Sequence, residues 1–442
     1  MIKIQRGSEL SFDFLGARDF AESSDVVREV LLQVKQRGDD AIREFAARFD
    51  EASPRDFAVS EETLLCAANK LKAQEPKLYD AICYSRDQAV RFAQKQRECF
   101  SDFEVELASG VFAGQRNIPV GRAGLYVPAG RFPLVSTVVM TSSPALAAGV
   151  GEVILCSPPK KSPTGQGEAF CNQKIMAAAW ICGVRRVFAC GGSQAIAAMA
   201  FGTQTIPRVD VIAGPGNKFV AEAKRLVFGS VGIDMIAGPT EVFIIADESA
   251  NPAWLAADLL AQAEHDVLAQ PVLALTSEPL AHKVAEEIER QLEGLATKEI
   301  ARQSIDGSGV IVLTGSLEEA ARIANEKAPE HLELAMKAGE ERDKVQSLLH
   351  NFGSLFVGYG AAEVLGDYSA GINHTLPTSG SARFSGGLSV RSFLKTVTTL
   401  KADSSKEGFH EAARAAAVLG DAEGLAAHAK AARLRLDEEA AR

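Results

Sequence analysis

Seven histidines are scattered through 442 residues, and their neighbours decide which could do chemistry. Pro329-Glu330-His331-Leu332-Glu333 sets a carboxylate beside an imidazole just after a helical stretch. Such a pair suits proton transfer near neutral pH, although the same pair at a solvated helix end does nothing. In the helical segment 252–265, Gln262 and His265 are three apart and share a face with Asp258. An amide and an imidazole at that spacing suit a metal or a polar substrate; a histidine capping a helix C-terminus is the plainer alternative. Asp367 and, seven residues on, His374 stand in a polar segment too rich in Gly and Ser for a core element. His428 lies in an alanine-rich helix with Glu423 five residues before it. Gln262, His265, Asp367 and His428 together would make a mixed nitrogen and oxygen shell for a divalent metal such as zinc, but only the fold can gather them.

The nucleotide signals are incomplete. GPGNKF at 214–219 supplies two glycines and then Phe219 where a third belongs, and there is no GxxxxGK. Its setting is more telling: VDVIAG reads as a strand, Gly214-Pro215-Gly216-Asn217 as a tight turn, and KFVAEAKRLV as a helix. That places backbone N–H groups at a strand's carboxyl end, where α/β sheets bind ligands. VFACGG followed by Ser193-Gln194 repeats the device, and two such turns on adjacent strands would form a cleft.

The elements that must position these groups follow from periodicity. Residues 20–105 repeat apolar positions every three and four, which predicts helices, one of them opening at Ser60. From 119 onward, short β-rich runs alternate with alanine-rich helices, the pattern of parallel βαβ units. The expected architecture is α/β, with two incomplete Rossmann-like parallel-sheet domains and helical extensions. The expected boundaries are an N-terminal helical segment 1–118 packing on the second α/β domain, a first α/β domain 119–241, a second 242–385, and a C-terminal helical tail 386–442. The tail is too poor in large apolar residues to bury itself, so docking on another subunit is expected.

Composition excludes several classes. Hydrophobic residues make up 47% and charged residues 24%, an ordinary globular balance. A net charge of −10 with no basic tract argues against a nucleic-acid partner. No run approaches the ~18 apolar residues of a membrane helix. Charges in MIKIQRGSELSFDF occupy the place of a secretory signal's apolar core, and seven cysteines without CxxC spacing read as reduced thiols. A cytoplasmic protein without membrane contact is expected.

The blocks GLYVP (124–128), GGSQAIAAMAFGT (191–203), VIAGPGNKFVAEAKR (211–225), IDMIAGPTEV (233–242), DLLAQAEHD (258–266), APEHLEL (328–334), GDYSAGINHTLPTSGSARFSGGLSV (366–390) and EGLAAHAKAARLR (423–435) resemble, in order, those of the histidinol dehydrogenase family. The resemblance implies two NAD-dependent oxidations of L-histidinol, through the aldehyde, to L-histidine. It implies a zinc-dependent homodimer of histidine biosynthesis, with one Zn2+ per subunit and an active site shared between subunits. Carried over by position, Glu330 and His331 match the acid–base pair, and Gln262, His265, Asp367 and His428 the metal ligands. Tyr126, Gln194 and Asn217 match cofactor contacts. Thr240, His374 and Glu423 match substrate contacts, to which the four metal ligands and His331 also belong. Thr240 replaces the family's usual Ser, and PAGRFPLVSTVVM (128–140) and HAKAARLR depart from its usual forms. A paralogous zinc- and NAD-dependent dehydrogenase of another small polyol, such as a sulfonated propanediol, is the alternative.

Overall fold

A computed structural model of the chain describes residues 2–10, 24–130, 132–163 and 168–436. Residues 20–23 of the expected helical segment and 437–442 of the expected tail lie outside the described residues. The chain forms two units: residues 1–95 with 120–393, and residues 96–119 with 394–442. No described helix is long and apolar enough to cross a membrane.

The first unit holds two six-stranded sheets. In the first sheet the strands run Ala58–Val59, Arg186–Ala189, Glu152–Ser157, Arg122–Tyr126, Val211–Ala213 and Gly232–Ile233, parallel except for the antiparallel edge strand 58–59. Leu125, Ile154, Leu155 and Ile212 are wholly buried, as expected of a parallel sheet covered on both faces. Helix Gly192–Phe201 is buried nearly all round, its alanines letting neighbours approach closely.

The N-terminal helices pack on this first sheet, which corrects the expectation that they pack on the second. Val27, Val30 and Val34 of helix Ser24–Arg37, with Ile42 and Phe45 of helix Asp39–Phe49, share one core with Phe188, Ile196 and Ile212. Their valine stripe finds a matching surface in the small residues of helix 192–201. Among the described residues of the N-terminal segment, only the strand Lys3–Arg6 joins the second sheet, parallel to Val310–Leu313.

The second sheet is wholly parallel: Lys3–Arg6, Val310–Leu313, Gln270–Leu275, Glu241–Ala246, His331–Ala335, Ser354–Val357. The chain moves outward from Glu241–Ala246 on one side, then returns to continue on the other. Helix Pro252–Ala263 begins with Pro252 in its first turn and the Asn251 side chain accepting from the Ala253 N–H.

In the second unit an antiparallel sheet joins Leu394–Ala402, Val111–Pro119 and Phe103–Ala108, and helices Glu407–Ala422 and Ala426–Leu434 pack on each other. Residues 386–442 are thus not a purely helical tail. LKTVTTLKA, rich in β-branched residues, is a nine-residue strand.

Candidate active site

Two edges of sheet meet at a cavity of about 1160 Å³. The first sheet presents its carboxyl edge: Tyr126 ends a strand, and Gln194 and Asn217 sit in turns that follow strands. The second sheet presents its amino edge. Thr240 and Glu330 immediately precede strands Glu241–Ala246 and His331–Ala335, and Gln262 and His265 close helix Pro252–Ala263. The expectation of a carboxyl-end site therefore describes only half of this one.

His331 is the first residue of a buried strand, not a solvated helix end. Its Nδ1 lies 3.1 Å from the Glu241 carbonyl oxygen, which places the ring proton on Nδ1 and leaves Nε2 with its lone pair. That Nε2 is buried, has no hydrogen-bond partner, and lies 3.7 Å from Asp367 Oδ1. Burial pushes the ring's pKa down to about 3, so it is neutral.

Around it runs a row of polar side chains. Glu330 Oε2 accepts the Glu241 N–H at 3.0 Å and lies 2.5 Å from Thr240 Oγ1. The buried Gln262 amide fits its surroundings with its oxygen accepting from Thr240 Oγ1 at 2.5 Å and its nitrogen donating to the two Glu363 oxygens at 2.7 and 2.8 Å. Thr240 has one proton and two close oxygen neighbours, so a proton on Glu330 completes the row from Glu330 to Thr240 to Gln262 to Glu363. Burial pushes the carboxyls of Glu330 and Glu363 well above the ordinary range, which favours that proton.

His265, Glu363 and Asp367 bring one donor atom each to within 4.8 Å of one another. Asp367 is not in a loop: it shares the short helix Glu363–Tyr368 with Glu363, four residues earlier. Burial lifts its carboxyl to about 7, and desolvation lowers His265. One imidazole, two crowded carboxylates and an adjacent amide are a donor set that fits a divalent cation, whose charge relieves the crowding. Glu363 was absent from the expected ligands, although its four-residue spacing from Asp367 was a visible signal. Asp258 does not join this cluster. It faces Glu333, whose Oε1 accepts the Glu363 N–H at 2.7 Å, and burial raises both acids, Asp258 to about 6 and Glu333 to about 8.

His374 sits with Nε2 3.2 Å from Ser136 Oγ, in a loop held by Asn373, whose Nδ2 donates to the Met140 carbonyl at 2.7 Å. Burial lowers the His374 pKa to about 4. Glu423 and His428 are exposed residues of the second unit, at the end of helix Glu407–Ala422 and on helix Ala426–Leu434.

On the first-sheet side, the Tyr126 hydroxyl accepts the Gly192 N–H at 3.0 Å. Asn217 caps helix Lys218–Val227, its Oδ1 accepting from the N–H groups of Phe219 and Val220 at 3.1 Å each. Gly214 is gripped on both sides: its N–H donates to Asp234 Oδ2 at 2.7 Å and its carbonyl accepts from Lys224 Nζ at 2.9 Å. Lys224 and Asp234 are themselves a buried ion pair. With φ at 125° and the Tyr126 carbonyl oxygen 2.1 Å from where a Cβ would lie, the position admits only glycine.

The family profile of histidinol dehydrogenase matches residues 16–436. A histidinol dehydrogenase of Aquifex aeolicus is 45% identical over 93% of this chain and 92% of its own. One from Dechloromonas aromatica is 41% identical over 99% of this chain and 100% of its own. The crystal structure of histidinol dehydrogenase from Elizabethkingia anophelis superposes with a TM-score of 0.88 at 34% identity, covering 98% of each chain.

Proposed function

The chain belongs to the histidinol dehydrogenase family, and from that premise we propose that the cavity between the two sheet edges is where L-histidinol is oxidised to L-histidine by two molecules of NAD. This is the EC 1.1.1.23 reaction of histidine biosynthesis. A dehydrogenase of another polyol is not favoured, since relatives at 41–45% identity over most of the chain carry the histidinol dehydrogenase name.

The observation that carries the reading is the bare, buried Nε2 of neutral His331, aimed at the cluster of His265, Glu363 and Asp367. Gln262, His265 and Asp367, with His428 of the partner subunit, would hold zinc, which when bound supplies Lewis acidity to the substrate's alcohol oxygen. His331 Nε2 takes the alcohol proton as hydride leaves for NAD. Glu330, beside His331 with Oε2 3.7 Å from Nδ1, assists when water must add to the aldehyde before the second hydride departs. Glu363 orients the Gln262 amide and lends the site a further carboxylate. Thr240 offers the substrate the hydroxyl that Ser offers elsewhere in the family.

Tyr126, Gln194 and Asn217 line the dinucleotide side. Thr240, His374 and Glu423 hold the substrate, Glu423 and His428 acting across a homodimer. Mixing the protein with NAD and L-histidinol and following absorbance near 340 nm tests the reading: about two reduced nicotinamides per histidinol are expected. No reduction with histidinol after zinc repletion would overturn it.

A further inference from the structure

One acidic group in the cavity wall has no part in the chemistry above. Asp50 follows helix Asp39–Phe49 and lines the cavity. Its Oδ2 accepts from Gln194 Nε2 at 3.0 Å, and its Oδ1 stands 3.0 Å from where a Cβ on Gly191 would lie. Gly191 is backed as closely by Pro158 on another side. The end of an N-terminal helix, the residue after strand Glu152–Ser157 and the turn after strand Arg186–Ala189 thus converge around one carboxylate. Burial lifts Asp50 to about 6, which leaves it ionised at neutral pH.

The charges nearby are balanced in a way that matters. Two lysines stand among the described lining residues, and each is matched by a carboxylate: Lys160 by Glu51 and Lys174 by Glu75, both at 2.7 Å. Asp50 therefore leaves this part of the wall negative. It lies over the first sheet, whereas His265, Glu264, Thr297 and Tyr368 mark the end of the cavity that belongs to the second. A dinucleotide whose nicotinamide reaches His331 must lay its adenosine half along the first-sheet turns.

We propose that Asp50, oriented by Gln194, accepts hydrogen bonds from the adenosine ribose of the dinucleotide and so selects a 2′-hydroxyl over a 2′-phosphate. The proposal rests on the NAD reading above and assigns its specificity to one residue. An ionised carboxylate is an acceptor only, with two oxygens that match a vicinal diol. A 2′-phosphate would bring like charge against it, with both neighbouring lysines already matched. Dinucleotide folds commonly use an acid for this purpose some 20 residues beyond the glycine turn. Here it arrives from an N-terminal helix, so no spacing rule downstream of GPGN would find it.

Equilibrium binding tests this without turnover. NAD, NADP and the NAD analogue lacking the adenosine 2′-hydroxyl are titrated into wild-type protein, Asp50→Asn and Asp50→Ala, with circular dichroism confirming the fold. Wild type is expected to bind NAD at least about 30-fold tighter than NADP, and the deoxy analogue about tenfold more weakly than NAD, the worth of a hydrogen bond to a charged group. Asp50→Ala should lose about tenfold for NAD, cease to distinguish the deoxy analogue, and bring NAD and NADP to within about threefold. Asp50→Asn, the isosteric change, should narrow the NAD to NADP ratio while disturbing the turn least. An unaltered ratio in both variants, with NAD still bound, overturns the proposal alone. Failure of the wild type to bind NAD overturns the dinucleotide reading itself, and the proposal with it.

Discussion

Gln262 and Glu363 meet amide to carboxylate, the Gln262 nitrogen 2.7 Å from one Glu363 oxygen and 2.8 Å from the other. This contact fixes which atom of Gln262 can turn to a cation: only its oxygen remains, and that oxygen is shared with Thr240. Glu363→Gln should therefore weaken zinc retention by ~10–100-fold, the usual effect of removing a group that orients a ligand. Competition with a fluorescent chelator measures it, and wild-type affinity would refute the role.

Replacing His265 or His428 with Ala should abolish metal retention while leaving far-ultraviolet circular dichroism intact. Neither residue is buried in an apolar core. Metal content after chelation and repletion is the readout, and full stoichiometry in either purified variant would remove that residue from the shell.

His331→Gln should keep the metal and slow turnover by ~10²–10⁴-fold, as loss of a positioned base does. Glu330→Gln should divide the two oxidations instead. Oxidation of alcohol to aldehyde needs no water and should be partly spared; hydration and the second oxidation should suffer most. Supplying the aldehyde directly separates them, and equal impairment of both steps would contradict the assignment.

His374 supplies a pH dependence of stability. Its folded pKa is about 4 against an ordinary 6.5, because burial disfavours the charged ring. Between those values the unfolded chain binds a proton that the folded one does not. Stability should therefore fall as pH drops from about 6.5 to 4, at up to ~1.4 kcal/mol per pH unit from this group. Urea unfolding across that window should show the slope reduced in His374→Gln, and an identical slope would exclude the contribution.

Lys224→Met should cost ~3–5 kcal/mol, since Asp234 would be left buried without its partner. The released Gly214 turn should also weaken NAD binding more than it slows chemistry. Urea denaturation and the division of the effect between KM and kcat test both parts.

The βα alternation foretold both sheets, because strands buried on two faces write themselves as continuous apolar runs. Among the described residues, eight strands do not show in that alternation: Lys3–Arg6, Ala58–Val59, Phe103–Ala108, Val111–Pro119, Gly232–Ile233, His331–Ala335, Ser354–Val357 and Leu394–Ala402. His331–Ala335 carries His and Glu at buried positions for the sake of the site, so it lacks the apolar signature of its neighbours. Ser354–Val357 is four residues long, and Leu394–Ala402 is half exposed and threonine-rich. The N-terminal helices announced an apolar stripe, but a stripe says that a face is buried, not against what. Of the candidate residues, those in turns and at helix ends could be singled out by type. Glu363 shows only through its four-residue spacing from Asp367, and Asp50 not at all, since its neighbours are distant in sequence.

The opposed sheet edges have an electrical consequence. Helices Gly192–Phe201 and Lys218–Val227 present their amino ends to the cavity, while helix Pro252–Ala263 finishes at its other side with its carboxyl end. Aligned peptide dipoles give such ends roughly +0.5 and −0.5 of an elementary charge. The backbone alone therefore sets a potential gradient from wall to wall. For the dinucleotide and zinc proposed above, it would favour the pyrophosphate at one wall and the dication at the other, a head-to-tail direction set before any side chain touches the cofactor.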